Sequence, residues 1–279
     1  MLIQITNHCT LECPHCMQNS TMNGNHMSEE VFRKTLEFGA WSGCWMYNIS
    51  GGEPTEHPEF ENFIRILSSH LEENPLELPG FPIFTIESNG EWIRSAPKVN
   101  AVKKILRERR LKAFQVSSFK GLYRNFDFIQ KYRKKIEALS PKIGVITSGI
   151  VSMQDLGRAR NSYNPMIEKA IEENTHQPSC INGYFISKQT DDVKDFSRAL
   201  FPTQTCKPFV DWKGNVHGCE SLCCPAHGNL MKDSFETIWN NLRKAVPCRR
   251  CRISRNLESS TDPKIMYANM LFAHNKDIK

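Results

Sequence analysis

Two rhythms of apolar and polar positions alternate along the first 146 residues. Short apolar runs at residues 2–5, 45–49, 83–86, 113–116 and 143–146 predict strands. Between them apolar residues recur at helical spacing. Ser28 predicts an N-cap, with Glu29 and Glu30 in the first turn and Phe32, Leu36 and Ala40 on one face. Phe60, Phe63, Ile64, Leu67 and Leu71 stripe a second helix, Pro97 opens a third, and residues 126–139 form a fourth. Repeated strand–helix units predict an α/β fold with a parallel sheet, open or closed into a barrel. The rhythm then breaks: residues 161–205 carry no assignable pattern. Residues 209–212 and 215–217 flank Lys213-Gly214 and predict a β-hairpin. Ser234 predicts the start of a short helix with Phe235, Ile238, Trp239 and Leu242 on one face. The change of character suggests a core over 1–200, a small second domain over 201–255 and a tail over 256–279.

Composition narrows the class. The chain has 279 residues, 39% hydrophobic and 24% charged, which is ordinary for a globular protein and excludes a disordered one. No apolar run approaches the length of a transmembrane helix, and the start Met1-Leu-Ile-Gln-Ile-Thr lacks the basic and apolar regions of a signal peptide. A cytoplasmic protein without membrane contact is expected. Thirty-six basic against thirty acidic residues leave +6, a mild excess that does not argue for nucleic acid. The unusual count is eleven cysteines, an odd number in clusters. That argues for metal ligation over a disulfide framework.

Cys9, Cys13 and Cys16 are spaced C-x3-C-x2-C directly after the first predicted strand, where α/β folds place their chemistry. Three thiolates can hold three corners of a cubane cluster and leave its fourth iron open, whereas structural zinc wants four ligands. Ser50-Gly51-Gly52-Glu53-Pro54 closes the second strand, Ser88-Asn89-Gly90 the third, and Val116-Ser117 the fourth.

These motifs, in this order over roughly residues 2–160, resemble the radical S-adenosylmethionine (SAM) superfamily. Leu156-Gly157-Arg158-Ala159 resembles a segment that follows the later strands of that family. The resemblance implies a partial (β/α)6 barrel and a [4Fe–4S] cluster on Cys9, Cys13 and Cys16. The open iron would chelate the amino and carboxylate groups of SAM, whose reductive cleavage yields a 5′-deoxyadenosyl radical that abstracts hydrogen from a substrate. Gly51 and Gly52, lacking Cβ, would let backbone carbonyls approach the ligand. Glu53 would add negative character near the methionyl ammonium. Asn89 and Ser117 would hydrogen-bond toward ribose and carboxylate, and His15 would take the place of an aromatic near adenine. Arg158 or Arg160 would pair with the carboxylate. A flavodoxin- or ferredoxin-type reductant is the implied electron donor.

A second cluster follows. Cys206 and Cys219 bracket the hairpin, and Cys248-Arg-Arg-Cys251 forms a knuckle. Four such thiolates suit zinc or an iron–sulfur cluster equally by spacing. The stretch resembles the SPASM/twitch extension of radical SAM enzymes. It is closer to the shorter twitch type, which implies one auxiliary [4Fe–4S] cluster. Cys223 and Cys224 admit three readings: packed thiols, a ligand exchange with Cys219, or hydrogen-atom donors beside the active site. The last resembles some radical SAM peptide epimerases, whose Asn-Gly motif is also closely followed by Trp, as Trp92 is here. Cys44 and Cys180 read as ordinary buried thiols.

Two enzyme readings result. One is modification of a ribosomally synthesised peptide by crosslinking, epimerisation or another C–H change. In it a separate leader-binding protein is expected, because no room precedes the first strand for a leader-recognition domain. The other is dehydrogenation of a sugar or aminocyclitol. A third reading is a non-enzymatic zinc protein.

Overall fold

The computed structural model describes residues 1–76, 80–147, 158, 165, 208–218 and 225–244. Five parallel strands form the core of one sheet: β1 (Leu2–Gln4), β2 (Met46–Ser50), β3 (Ile83–Ser88), β4 (Leu111–Ser117) and β5 (Ile143–Ile146). Between them run α1 (Glu29–Trp41), α2 (Phe60–Glu73), α3 (Ala96–Ile105) and α4 (Phe126–Glu137), each within a few residues of its predicted place. Ser28 caps α1 by accepting a hydrogen bond from the Val31 amide at 3.3 Å, as its sequence position predicts. Two 3-10 turns, Pro54–Glu56 and Glu91–Arg94, were not predicted; each directly follows a Gly-containing strand end.

Strand alternation separates two faces. Ile3, Ile49, Ile86, Val116 and Val145 pack into the hydrophobic core together with Phe32, Phe63, Leu67 and Ile129 of the helices. The alternate positions Gln4, Asn48, Glu87, Gln115 and Ser117 are polar, and the register puts Gln4 beside Ser50 and Glu87 beside Gln115. A sheet apolar toward its helices and polar on the inner face is what a barrel with a wet lumen requires. The further strand expected of a (β/α)6 barrel falls outside the described residues.

The hairpin forms as predicted, from β6 (Phe209–Val210) and β7 (Asn215–His217). Asp211 fixes its turn by accepting from the amides of Lys213 and Asn215, both at 2.9 Å, and Gly214 supplies a positive φ of 81°. Its pairing carries no signal in the sequence. Pairing of β6 parallel to β1 and of β7 with β8 (Gly228–Asn229) extends the sheet to the order β5-β4-β3-β2-β1-β6-β7-β8. The final described helix, α5 (Phe235–Lys244), packs Phe235 and Trp239 against Trp41 of α1. Val210, Val216, Leu230, Ile238 and Leu242 belong to the same core as the barrel strands. The described part of 201–255 is therefore joined to the barrel through one sheet and one core, because the outer edge of β1 needs a hydrogen-bonding partner. Cys180, Cys206, Cys219, Cys223, Cys224, Cys248 and Cys251 lie outside the described residues.

Candidate active site

At the C-terminal ends of the parallel strands lies a cavity of about 210 Å³. Its lining includes Cys9, Cys13, His15 and Cys16 from the loop after β1, Gly51 and Gly52 after β2, Asn89 after β3, Ser117 at the end of β4, and Arg158. Nine of the ten predicted first-site residues thus meet around one space; Glu53 is the exception.

The cysteine loop is built around its sulfurs. Glu12 and Asn19 hold left-handed backbone, with φ of 45° and 53°. The amides of Leu11 and Glu12 point at the Cys9 sulfur, that of Arg124 at Cys13, and that of Ser20 at Cys16 at 3.4 Å. Burial pushes the Cys9 thiol up to about 12 and raises that of Cys13. Sulfurs ringed by amide donors yet starved of solvent are ready for metal-bound thiolates, because the ion supplies the missing positive charge. Among the described residues no three His, Cys, Asp or Glu side chains gather closely enough for a single metal ion. A cubane has no such need, since each thiolate takes a different iron. These residues fit the cluster.

The glycines that line the cavity also allow a close backbone approach. A Cβ on Gly52 would stand 2.1 Å from the His8 carbonyl oxygen and 2.9 Å from Cys9 Cβ, and one on Gly51 would stand 2.7 Å from the Thr6 oxygen. Their smallness lets the β2 end lie flat against the cysteine loop, locked by Gly52 N–H to Thr6 O at 2.7 Å and Glu53 N–H to His8 O at 2.9 Å.

Glu53 lies behind the cavity wall and not on it. Pro54 starts a 3-10 turn that brings the Thr55 amide back to the Glu53 carboxylate. Its Oε1 also accepts from Thr55 Oγ1 at 2.6 Å and Ser88 Oγ at 2.9 Å, and its Oε2 from the Asn89 amide at 2.6 Å. The carboxyl is fully buried, and that burial raises it to about 7 against the donors that favour its charge. It braces the Asn-Gly loop. Asn89 is also committed locally: Oδ1 accepts from the Glu91 amide at 2.9 Å, and Nδ2 sits 3.7 Å from the Cys9 sulfur.

His15 packs against Tyr123 with ring centroids 4.6 Å apart and planes tilted by 46°, and its Nδ1 lies 3.2 Å from the Leu122 carbonyl. Burial lowers it to about 4, so the ring is neutral at pH 7, with Nδ1–H donating to that carbonyl. Arg158 ties the loop together: Nε donates to Cys13 O at 2.9 Å, Nη1 to Asn19 Oδ1 at 3.3 Å, and its amide to Cys16 O at 3.0 Å. Its Nη2 is buried without a partner among the described residues. Sequence reasoning missed Tyr123, which packs against Cys9 and Cys13, and Glu87, which lines the cavity and accepts from Asn48 Nδ2 at 2.6 Å. Strand alternation from Asn89 back along β3 is the signal that marks Glu87.

Comparison with known proteins agrees with this geometry. Residues 3–133 match the Radical SAM superfamily model. Over 180 residues the chain is 25% identical to a "Probable GTP 3',8-cyclase" of Methanosarcina mazei. That match takes in 62% of this chain and 46% of the relative, so the chain spans about half the length of the curated protein it matches. Among solved structures, BtrN in complex with AdoMet and 2-DOIA superposes with a TM-score of 0.54 at 12% identity, over 92% of this chain and 85% of that one. Native anSMEcpe with bound AdoMet and Cp18Cys peptide gives 0.51 at 14% identity, over 90% and 81%. Streptococcus suis SuiB bound to precursor peptide SuiA gives 0.52 at 14% identity, over 88% and 67%. These likenesses carry the fold. The superfamily uses a [4Fe–4S] cluster and SAM, and its members are enzymes, which sets aside the zinc-protein reading. Residues 3–133 of the chain thus match the radical SAM superfamily, over the same strands and loops that line the cavity.

Proposed function

We propose that the enzyme modifies a ribosomally synthesised peptide by a reaction that begins with C–H abstraction. The observation that carries the radical SAM assignment of the site is the convergence of Cys9, Cys13 and Cys16 with Gly51, Gly52, Asn89 and Ser117 on one cavity. Cys9, Cys13 and Cys16 would hold the cluster. When bound and reduced by an external one-electron donor, the cluster would supply the electron for cleavage of a C–S bond of SAM. The residues of this chain do the rest. Gly51 and Gly52 keep the β2 end against the cysteine loop. Ser117 offers a hydroxyl at the cavity wall. Neutral His15 and Tyr123 form an aromatic shelf suited to a purine. Arg158, at the cavity wall, suits a carboxylate.

Support for a peptide comes from SuiB and anSMEcpe, which hold peptides on the same fold. Cys206, Cys219, Cys248 and Cys251 would hold one auxiliary [4Fe–4S] cluster, and Cys223 or Cys224 could then donate a hydrogen atom to the modified carbon. A second reading, dehydrogenation of a small polar molecule, draws on BtrN, whose superposition covers 92% of this chain. Anaerobic incubation with SAM, reductant and peptides encoded beside the gene separates them by mass spectrometry. Loss of two hydrogens from a peptide supports crosslinking or dehydrogenation. Unchanged mass in water but a one-deuterium gain in deuterium oxide supports epimerisation. An unaltered peptide alongside an oxidised aminocyclitol favours the second reading.

A further inference from the structure

The segment 53–56 carries two carboxylates that reach in opposite directions. Glu53 braces the Asn89 loop, as described. Glu56, three residues on, reaches the cysteine loop instead. Its Oε1 accepts from Thr10 Oγ1 at 2.6 Å, its Oε2 accepts from the Thr10 amide at 3.1 Å, and the same Oε2 stands 3.4 Å from His8 Nε2. His8 and Thr10 flank Cys9 on either side. The Glu56 side chain is 7% exposed and that of His8 24%, while Thr10 lies at the surface. Among the described residues, Thr10 makes no hydrogen bond beyond these two to Glu56. Backbone bonds from the Gly52 and Glu53 amides to Thr6 O and His8 O grip the same loop four and two residues before Thr10.

We propose that Glu56 is a positioning residue for the cluster: it clamps both flanks of Cys9 and presets the loop, so that the Cys9 sulfur is presented before iron arrives. The inference rests on the assignment of Cys9, Cys13 and Cys16 as ligands. A loop that must be ordered during binding would surrender that ordering cost from its affinity, whereas a clamped one does not. Groups that orient ligands without touching the metal typically govern affinity by about 10–100-fold.

The test uses full-length protein reconstituted anaerobically with iron and sulfide. The variants are Glu56→Ala, Glu56→Gln and Thr10→Val. The control is a triple Cys9→Ala, Cys13→Ala, Cys16→Ala variant, which reports iron held elsewhere. Iron loss to EDTA is followed at the cluster absorbance, and the reduced cluster is followed by its EPR signal with and without SAM. Glu56→Ala should lose site iron roughly ten-fold faster than wild type, with a broadened EPR signal. Glu56→Gln keeps an oxygen for Thr10 and should recover most of the retention. Thr10→Val, which keeps the amide but not the hydroxyl, should fall between. The melting temperature of the iron-free chains should change little across the series. Equal iron loss and equal EPR spectra in wild type, Glu56→Ala and Thr10→Val would overturn the clamp. Should Glu56→Ala not fold, Glu56→Gln and Thr10→Val decide: loss at wild-type rate in both overturns it. If wild type holds no more iron than the triple variant, the ligand assignment has failed instead.

Discussion

Gly52 shows how little freedom one position in this site has. A methyl group there would press on the His8 carbonyl at 2.1 Å, a backbone atom that cannot swing aside as a side chain would. Gly52→Ala should therefore cost about 3 kcal/mol in chemical denaturation, the upper end for overpacking, and should lower iron uptake on reconstitution. Stability and iron content equal to wild type would mean that the β2 end does not lie on the cysteine loop. The residue types at this site were legible from the sequence; their directions were not. Glu53 was expected to face the ligand, yet it turns away because the following Pro54 begins a turn that returns the Thr55 amide to it. Asn89 lines the cavity, while its Oδ1 accepts from the Glu91 amide and its Nδ2 sits 3.7 Å from the Cys9 sulfur. Both outcomes depend on which neighbour satisfies a polar atom first, which is a three-dimensional question.

Among the elements, those set by local periodicity and capping were readable. Ser28 caps α1, and the apolar stripes of α2 and α4 lie within a residue or two of their predicted spans. Asp211 and Gly214 make the hairpin turn that Lys213-Gly214 announced. Unreadable was the pairing of that hairpin with β1, because it joins residues some two hundred apart and leaves no mark on either segment. The Pro54–Glu56 turn carries a consequence that can be measured. Burial raises the Glu53 carboxyl from 4.5 to about 7 in the folded chain. The native state thus binds the proton more tightly than the unfolded one. The stability linked to this group is full below about 4.5 and is lost as pH rises through about 7. In the iron-free protein, Glu53→Gln should flatten the decline of melting temperature between those pH values. An unchanged slope would show that Glu53 titrates normally and is not sealed behind the wall.

At the scale of the whole molecule, the hairpin and α5 complete the barrel's packing: Trp239 meets Trp41 of α1 in the same core that holds the strands. We expect Trp239→Ala to cost about 3–5 kcal/mol and to lower a single cooperative unfolding transition. Two transitions, with the barrel's unmoved, would instead mark an independent second domain. The sheet's position matters for function because it presents β1 to β4 with their C-terminal ends around one cavity. This cavity is the proposed radical SAM centre, held by Cys9, Cys13 and Cys16. The most direct test is 5′-deoxyadenosine formation by anaerobically reconstituted protein given SAM and dithionite. Wild type should release it, and each of Cys9→Ala, Cys13→Ala and Cys16→Ala should release none above the enzyme-free background. Release by any of the three variants at the wild-type rate would contradict it.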